Sequence, residues 1–121
     1  MEEGSADLTL RVRTEGSATV VVAEGEVDLS TIPQLSEVLD EFINGGKVDL
    51  IVDMTGVNFI DSTGLGVLVG TRKKALAQDG SVQLASLQAK VLKIFRITQL
   101  TEIFPVHDSV ADAIASASGH P

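Results

Sequence analysis

Leu50, Ile51 and Val52 are consecutive within the stretch Val48 to Met54, and an unbroken apolar run of strand length implies a strand covered on both faces. Such a strand needs a layer packed above and below it, which constrains the chain to an α/β architecture with helices against a sheet. The flanking sequence supplies those layers. Leu8, Leu10 and Val12 alternate with Thr9, Arg11 and Arg13, the period of a strand with one wet face. Glu15-Gly16-Ser17 reads as a turn, and the β-branched run Ala18 to Ala23 completes a hairpin.

Thr31 with Gln34 three residues on reads as a capping box, with Pro33 in the first helical turn. The helix they open carries Ile32, Leu35, Val38, Leu39, Phe42 and Ile43 on one stripe, and Asn44-Gly45-Gly46 ends it. After the central strand, Thr55 to Ile60 is expected to be a loop. Asp61-Ser62-Thr63 then presents three cap-type side chains before a second helix, predicted to run to about Gln78 with Leu65, Leu68, Val69 and Leu76 buried. A strand at Val82 to Ala85 and a helix containing Val91, Leu92 and Phe95 follow. Ile103 to Val106 reads as a short edge strand because Pro105 lacks a ladder donor, and His107 as a loop residue. Asp108 is the expected cap of a last helix with Val110, Ala113, Ile114 and Ala117 inward. The predicted order is β-β-α-β-α-β-α-β-α: one α/β domain over residues 8–117 with a mixed, mostly parallel sheet, a flexible lead at 1–7 and a frayed tail at 118–121.

Composition narrows the class of partner. The 121 residues carry a formal net charge of −8, the wrong sign for nucleic acid or an anionic membrane. The chain has no cysteine, which removes disulfides, thiolate metal sites and cysteine nucleophiles together. No apolar run is long enough to span a bilayer, and the acidic Met1-Glu2-Glu3 start is unlike a signal peptide, so a cytoplasmic protein that binds other proteins is expected.

The distinctive segment is Ile60-Asp61-Ser62-Thr63-Gly64-Leu65-Gly66, a polar triplet at a helix start followed by glycines one residue apart. A helix N-terminus leaves N–H groups unpaired and stabilises an anion, so a phosphate on Ser62 is compatible with the fold while it repels nearby carboxylates. Read from these residues alone, Ser62 is equally well an ordinary N-cap, Asp61 a helix-start carboxylate and the glycines packing spacers.

The stretch IDSTGLGVLVGTRKKA resembles the signature of STAS-domain anti-sigma factor antagonists, in which the serine after the aspartate is the phosphorylation site. GEVDLSTIPQL from Gly25 to Leu35 resembles that family's strand-to-first-helix segment with its aspartate at Asp28. VDLIVDMTGVNFIDSTG resembles its central strand and phosphorylation loop, and VLKIFRITQLTEIFPV its third helix and last strand. A departure is Gln99, at a turn where related sequences often carry glycine. The resemblance implies a non-enzymatic switch: the unmodified chain binds an anti-sigma factor that is itself a serine kinase and so frees a sigma factor, phosphorylation of Ser62 ends the complex, and a phosphoserine phosphatase resets it. ATP and magnesium belong to the kinase; this chain is expected to hold no cofactor and no metal. The expected partner-binding residues are Asp28, Asp61, Thr63, Gly64 and Leu65, with Thr63 the nearest alternative phosphate acceptor. Asp28 and Asp61 read equally as ordinary loop and helix-start residues, and Gly66 is expected to pack on the sheet. A second implication is an unphosphorylated scaffold or transporter-associated interaction module.

Readings from other classes fit less well. Gly64-x-Gly66-x-x-x-Gly70 opens a helix as a dinucleotide fingerprint does, but the strand is expected to end well before it, near Met54. Asp53 suggests a phosphoaspartate receiver, yet the chain opens β-β where a receiver opens β-α. Ser62, His107 and Asp108 lack the G-x-S-x-G elbow of a serine hydrolase.

Overall fold

The computed structural model describes residues 3–5 and 7–118. Its elements are β1 (Glu3–Ser5), β2 (Leu8–Glu15), β3 (Ala18–Val27), α1 (Ile32–Asn44), β4 (Asp49–Ile60), α2 (Ser62–Leu76), β5 (Ser81–Ala85), α3 (Ala89–Ile97), β6 (Val106–His107) and α4 (Val110–Ser118). A 3-10 turn at Leu100–Glu102 lies between α3 and β6. The strands form one six-stranded sheet in sequence order. β1–β2 and β2–β3 pair antiparallel, and β3–β4, β4–β5 and β5–β6 pair parallel, so the sheet is mixed and mostly parallel, as expected.

Because β3, β4, β5 and β6 step across the sheet in one direction, right-handed crossovers place α1, α2 and α3 on the same face. There Leu35, Leu39, Ile43, Leu68, Ala75, Val91 and Phe95 pack onto Leu10, Val21, Leu50, Val52, Met54, Val82 and Leu84. α4 covers part of the other face, where Ala113 joins Val20, Ile51 and Ala85. The central strand is thus covered on both sides, as the run Leu50-Ile51-Val52 requires. Phe95 and Phe104 meet edge to face at 6.2 Å and 79° beneath α3, fixing the 3-10 turn to the core.

Several elements differ from expectation for identifiable reasons. Glu3–Ser5 is a strand and not part of a flexible lead; it pairs with Leu8, Thr9 and Leu10 and covers the edge β2 would otherwise expose. Of the expected frayed tail at 118–121, Ser118 is the last residue of α4, while residues 119–121 lie outside the described residues, as does the side chain of Ala117. Thr55 to Ile60 continues β4 instead of forming a loop, because two register shifts absorb its turn-like residues. Val22 faces Asp53 and Glu24 faces Gly56, then Gly25 faces Val57 and Glu26 faces Phe59. The inward positions therefore run Leu50, Val52, Met54, Val57 and Ile60, a period of two that twice lengthens to three.

α2 ends at Leu76, and its buried stripe is Gly64, Leu68, Thr71 and Ala75. Leu76 falls outside that stripe and is exposed. The edge strand starts at Val106, not Ile103. Pro105 precedes it and accepts from the Leu84 N–H through its carbonyl, and His107 is a strand residue whose Nε2 is 2.7 Å from Gln83 Oε1. Ser109, not Asp108, caps α4, its hydroxyl accepting from the Asp112 N–H at 3.0 Å.

Gln99 follows α3 in the left-handed region, φ 62° and ψ 18°, the position after a helix where glycine is favoured. Relief of left-handed strain outweighs the added freedom of the unfolded chain, so Gln99→Gly is expected to stabilise the domain by about 0.5–1 kcal/mol. A thermal melt checks this; an unchanged or lower Tm would contradict it.

Candidate functional site

β3 and β4 run parallel and finish together, with Val27 opposite Ile60. The Asp61 N–H donates to the Val27 carbonyl at 3.1 Å, so the two connections that leave the sheet here, Asp28 to Thr31 and Asp61 to Ser62, start side by side. Segments far apart in sequence are thereby joined at the carboxyl ends of the two central strands.

Asp61 is the N-cap of α2, in extended conformation (φ −109°, ψ −176°). Its Oδ1 accepts from the Thr63 hydroxyl, from the Thr63 N–H at 3.0 Å and from the Gly64 N–H at 3.1 Å. The Thr63 hydroxyl is the main cause holding the Asp61 carboxyl below its usual range; partial burial opposes it, and the N–H groups of Gly64, Thr63 and Leu29 reinforce it.

Asp28 performs a similar task for the first loop. Its Oδ1 accepts from the Ser30 hydroxyl at 2.7 Å, the Ser30 N–H at 2.9 Å and the Thr31 N–H at 3.1 Å. The Ser30 hydroxyl is the leading cause of its lowered pKa, opposed by partial burial and supported by the two N–H groups. The expected capping box between Thr31 and Gln34 does not form. Thr31 is buried, and its hydroxyl donates to the Glu26 carbonyl at 2.8 Å and accepts from the Asp28 N–H at 3.0 Å, while Gln34 Nε2 donates to the Leu8 carbonyl at 3.0 Å. The Asp-x-Ser-Thr segment closes on itself as an Asx-type turn before the helix, a stronger competitor for the backbone than the box.

Because both carboxyls have lower pKa values folded than unfolded, they stabilise the fold above the unfolded value near 4, and that contribution is lost as pH falls through the folded values. Tm is expected to hold between about pH 7 and pH 5 and to fall below about pH 4. Asp61→Asn retains a capping oxygen and should flatten that acid limb; equal acid slopes for the variant and the parent would contradict the assignment.

Ser62 is the first residue of α2 and is exposed, and its hydroxyl makes no hydrogen bond to another described residue. Thr63, half-buried, has its hydroxyl engaged by Asp61, which makes it the poorer acceptor. Gly64 is buried: a Cβ there would lie 2.7 Å from Val27 Cγ1 and 2.8 Å from Ile60 Cγ1, so the glycine lets the helix start sit on the ends of the two strands. Leu65 is half-buried against the core. Gly66, expected to pack on the sheet, instead faces open space; the packing role belongs to Gly64. Leu29 escapes sequence reasoning, since a leucine within a polar loop carries no periodic signal, yet it is 72% exposed beside this site.

The site therefore consists of an unengaged hydroxyl at a helix start, directly after the Asp61 carboxylate, with the loop that the Asp28 carboxylate closes leaving the neighbouring strand; both carboxyls remain ionised at neutral pH. Such an arrangement suits modification and recognition. His107, whose Nε2 is held by Gln83, is not paired with the Ser62 hydroxyl.

Comparison with known proteins agrees in fold and in sequence. The STAS domain model matches residues 9–113. The anti-sigma-B factor antagonist of Staphylococcus aureus (strain NCTC 8325) is 31% identical over 102 residues, covering 84% of this chain and 94% of that protein. A crystal structure of an anti-sigma factor antagonist from Mycobacterium paratuberculosis superimposes with a TM-score of 0.84 at 24% identity, covering 91% of this chain and 93% of the other. The Bacillus cell fate determinant SpoIIAA in its phosphorylated form gives a TM-score of 0.71 at 20% identity, covering 89% and 98%. At those identities the two structures speak to the fold; the family model and the staphylococcal relative carry the assignment. On that basis the chain belongs to the STAS-domain family of anti-sigma factor antagonists.

Proposed function

We propose that the unphosphorylated chain binds an anti-sigma factor and so releases the sigma factor which that partner holds, and that phosphorylation of Ser62 ends the complex. The observation that carries this reading is the exposed, unengaged Ser62 hydroxyl at the start of α2, with the neighbouring Thr63 hydroxyl occupied. The staphylococcal relative named as an antagonist supports the general role.

In this mechanism the anti-sigma factor is a serine kinase that brings ATP and magnesium. Ser62 Oγ attacks the γ-phosphorus in line, the bond to the β-phosphate oxygen breaks, ADP leaves, and the hydroxyl proton passes to a base of the kinase. Asp61 is a poor base for that proton, since its carboxyl is held below its usual pKa and its Oδ1 is committed to capping the helix. Its task is to hold the helix start, and Gly64 lets that start sit close to the strands. The product carries about −1.5 to −2 charges at a helix N-terminus, which favours an anion. The fold is retained while the surface seen by the partner changes. A phosphoserine phosphatase reverses the step. No helix among the described residues is long and apolar enough to cross a membrane, and a cytoplasmic site of action follows from the proposed role.

The test is intact-mass analysis with site localisation after incubation with a candidate kinase, ATP and magnesium. One phosphoryl group on Ser62, absent from Ser62→Ala and retained in Thr63→Ala, is the expected result. The absence of any phosphate with every anti-sigma kinase of the source genome would overturn the switch in favour of an unphosphorylated scaffold.

A further inference from the structure

Leu29 is 72% exposed at the tip of the loop between β3 and α1. Its loop is not loose. Asp28 on one side takes three hydrogen bonds on one oxygen, the buried Thr31 ties the loop to Glu26 and Asp28, and the Leu29 N–H itself faces the Asp61 carboxylate. The backbone is thus fixed on both sides of a leucine whose side chain is directed at water, where it gains nothing in the isolated chain. Exposure alone does not mark a site, since Ile97 is equally exposed at 71%. Position separates them. Leu29 lies against the residue that precedes Ser62, whereas Ile97 ends a helix running back from the carboxyl edge of β5 and sits toward the opposite end of the sheet.

A kinase that reaches Ser62 Oγ also covers its surroundings. An interface of ordinary size buries about 800 Å² on each partner, a patch of roughly 16 Å radius. Leu29, adjacent to Asp61, falls inside any such patch centred on Ser62. We infer that Leu29 is an apolar anchor for the anti-sigma factor, entering a nonpolar pocket beside the kinase's phosphate-transfer site. This rests on the functional reading given above. A preformed loop makes such an anchor effective, because the ordering of the backbone precedes binding. It also contributes to choice of partner: an anti-sigma factor without the pocket must leave a leucine against polar groups.

Burying a leucine side chain implies that Leu29→Ser weakens binding of the unphosphorylated chain by about ten- to a hundredfold. Leu29→Met should keep most of the affinity and Ile97→Ser all of it. Because Leu29 is exposed, its variants should melt with the parent, which a thermal scan checks. The experiment is titration calorimetry of the full chain and these three variants against the purified anti-sigma kinases of the source genome. Failure of the parent chain to bind any of them would overturn the functional reading, and the anchor with it. Binding by the parent with Leu29→Ser within twofold of it would overturn the anchor alone. Equal loss in Leu29→Ser and Ile97→Ser would also overturn it, by showing a general effect of surface apolar area.

Discussion

Gly25→Ala is expected to destabilise the domain by about 3–5 kcal/mol, a large fraction of the roughly 5–15 kcal/mol that holds a domain together. Gly25 has φ 122°, a conformation that side chains rarely adopt, and a Cβ there would lie 2.0 Å from the Asp7 carbonyl oxygen and 2.9 Å from its carbon. The obstacle is backbone and cannot rotate away. Moving it also breaks the 2.7 Å hydrogen bond from the Glu26 N–H to that same oxygen. Gly16→Ala is the internal comparison. Gly16 has φ 62° in the hairpin turn with nothing within 4 Å, so alanine there meets only the left-handed strain of about 1–2 kcal/mol. Urea unfolding of both variants separates the two effects: a lower midpoint for Gly25→Ala than for Gly16→Ala, at unchanged slope, is the expected result. Equal midpoints would mean that the close approach of Asp7 relaxes without cost.

Gly25 also shows what the sequence conceals. The hairpin, the four helices and the parallel central strands are legible because their apolar residues recur at two, recur at three and four, or, as in Leu50-Ile51-Val52, run without a break. The end of β4 is not, because two register shifts against β3 break the alternation where Gly56 and Asn58 imitate a loop. The first strand is hidden for another reason: Glu3-Gly4-Ser5 has no apolar pattern, and only its pairing with β2 makes it a strand.

At the site, the polar triplet and the helix start are readable from Asp61-Ser62-Thr63, but the cap is Asp61 and not Ser62, which is the first residue of the helix itself. The roles of the glycines are not readable. Which of two glycines two residues apart faces the sheet depends on the rotation of the helix, and that is set by Val27 and Ile60 beneath Gly64. The sequence likewise shows Thr31 and Gln34 at capping-box spacing, but Asp28 and Ser30 offer the backbone a closer set of partners. In both cases the deciding contact comes from the end of β3, distant in sequence from the helix concerned, or from the residues just ahead of the expected cap.

These contacts bear on how the proposed switch at Ser62 would work. Asp61 fastens the start of α2, Gly64 seats it on the strands, and Asp28 and Thr31 fasten the adjoining loop, so the scaffold around the hydroxyl is held by hydrogen bonds that Ser62 does not share. Phosphate can therefore be added without removing a support of the fold. The phosphorylated chain is expected to melt within a few degrees of the unmodified one, and the change in affinity must come from the interface itself.

Phosphorylation of Ser62 is expected to weaken binding to the anti-sigma kinase by about a hundredfold. In the proposed mechanism, a kinase that has transferred a γ-phosphoryl group to Ser62 still holds the β-phosphate of ADP nearby, with the bound magnesium offsetting part of its charge, so that about one net negative charge faces the new phosphate. Two unit charges roughly 6 Å apart at an effective dielectric near 20 repel by about 2.8 kcal/mol, which is about a hundredfold in affinity. The nucleotide gives the prediction its specific form. Calorimetry with ADP present should show the full loss for the phosphorylated chain, and calorimetry without nucleotide a smaller one, with the difference shrinking as salt screens the pair. Ser62→Ala should bind as the unmodified chain does and resist inactivation, while Ser62→Asp, with one charge and a shorter reach, should show a partial loss. Equal affinity of the phosphorylated and unmodified chains in the presence of ADP would overturn charge repulsion at Ser62 as the basis of release.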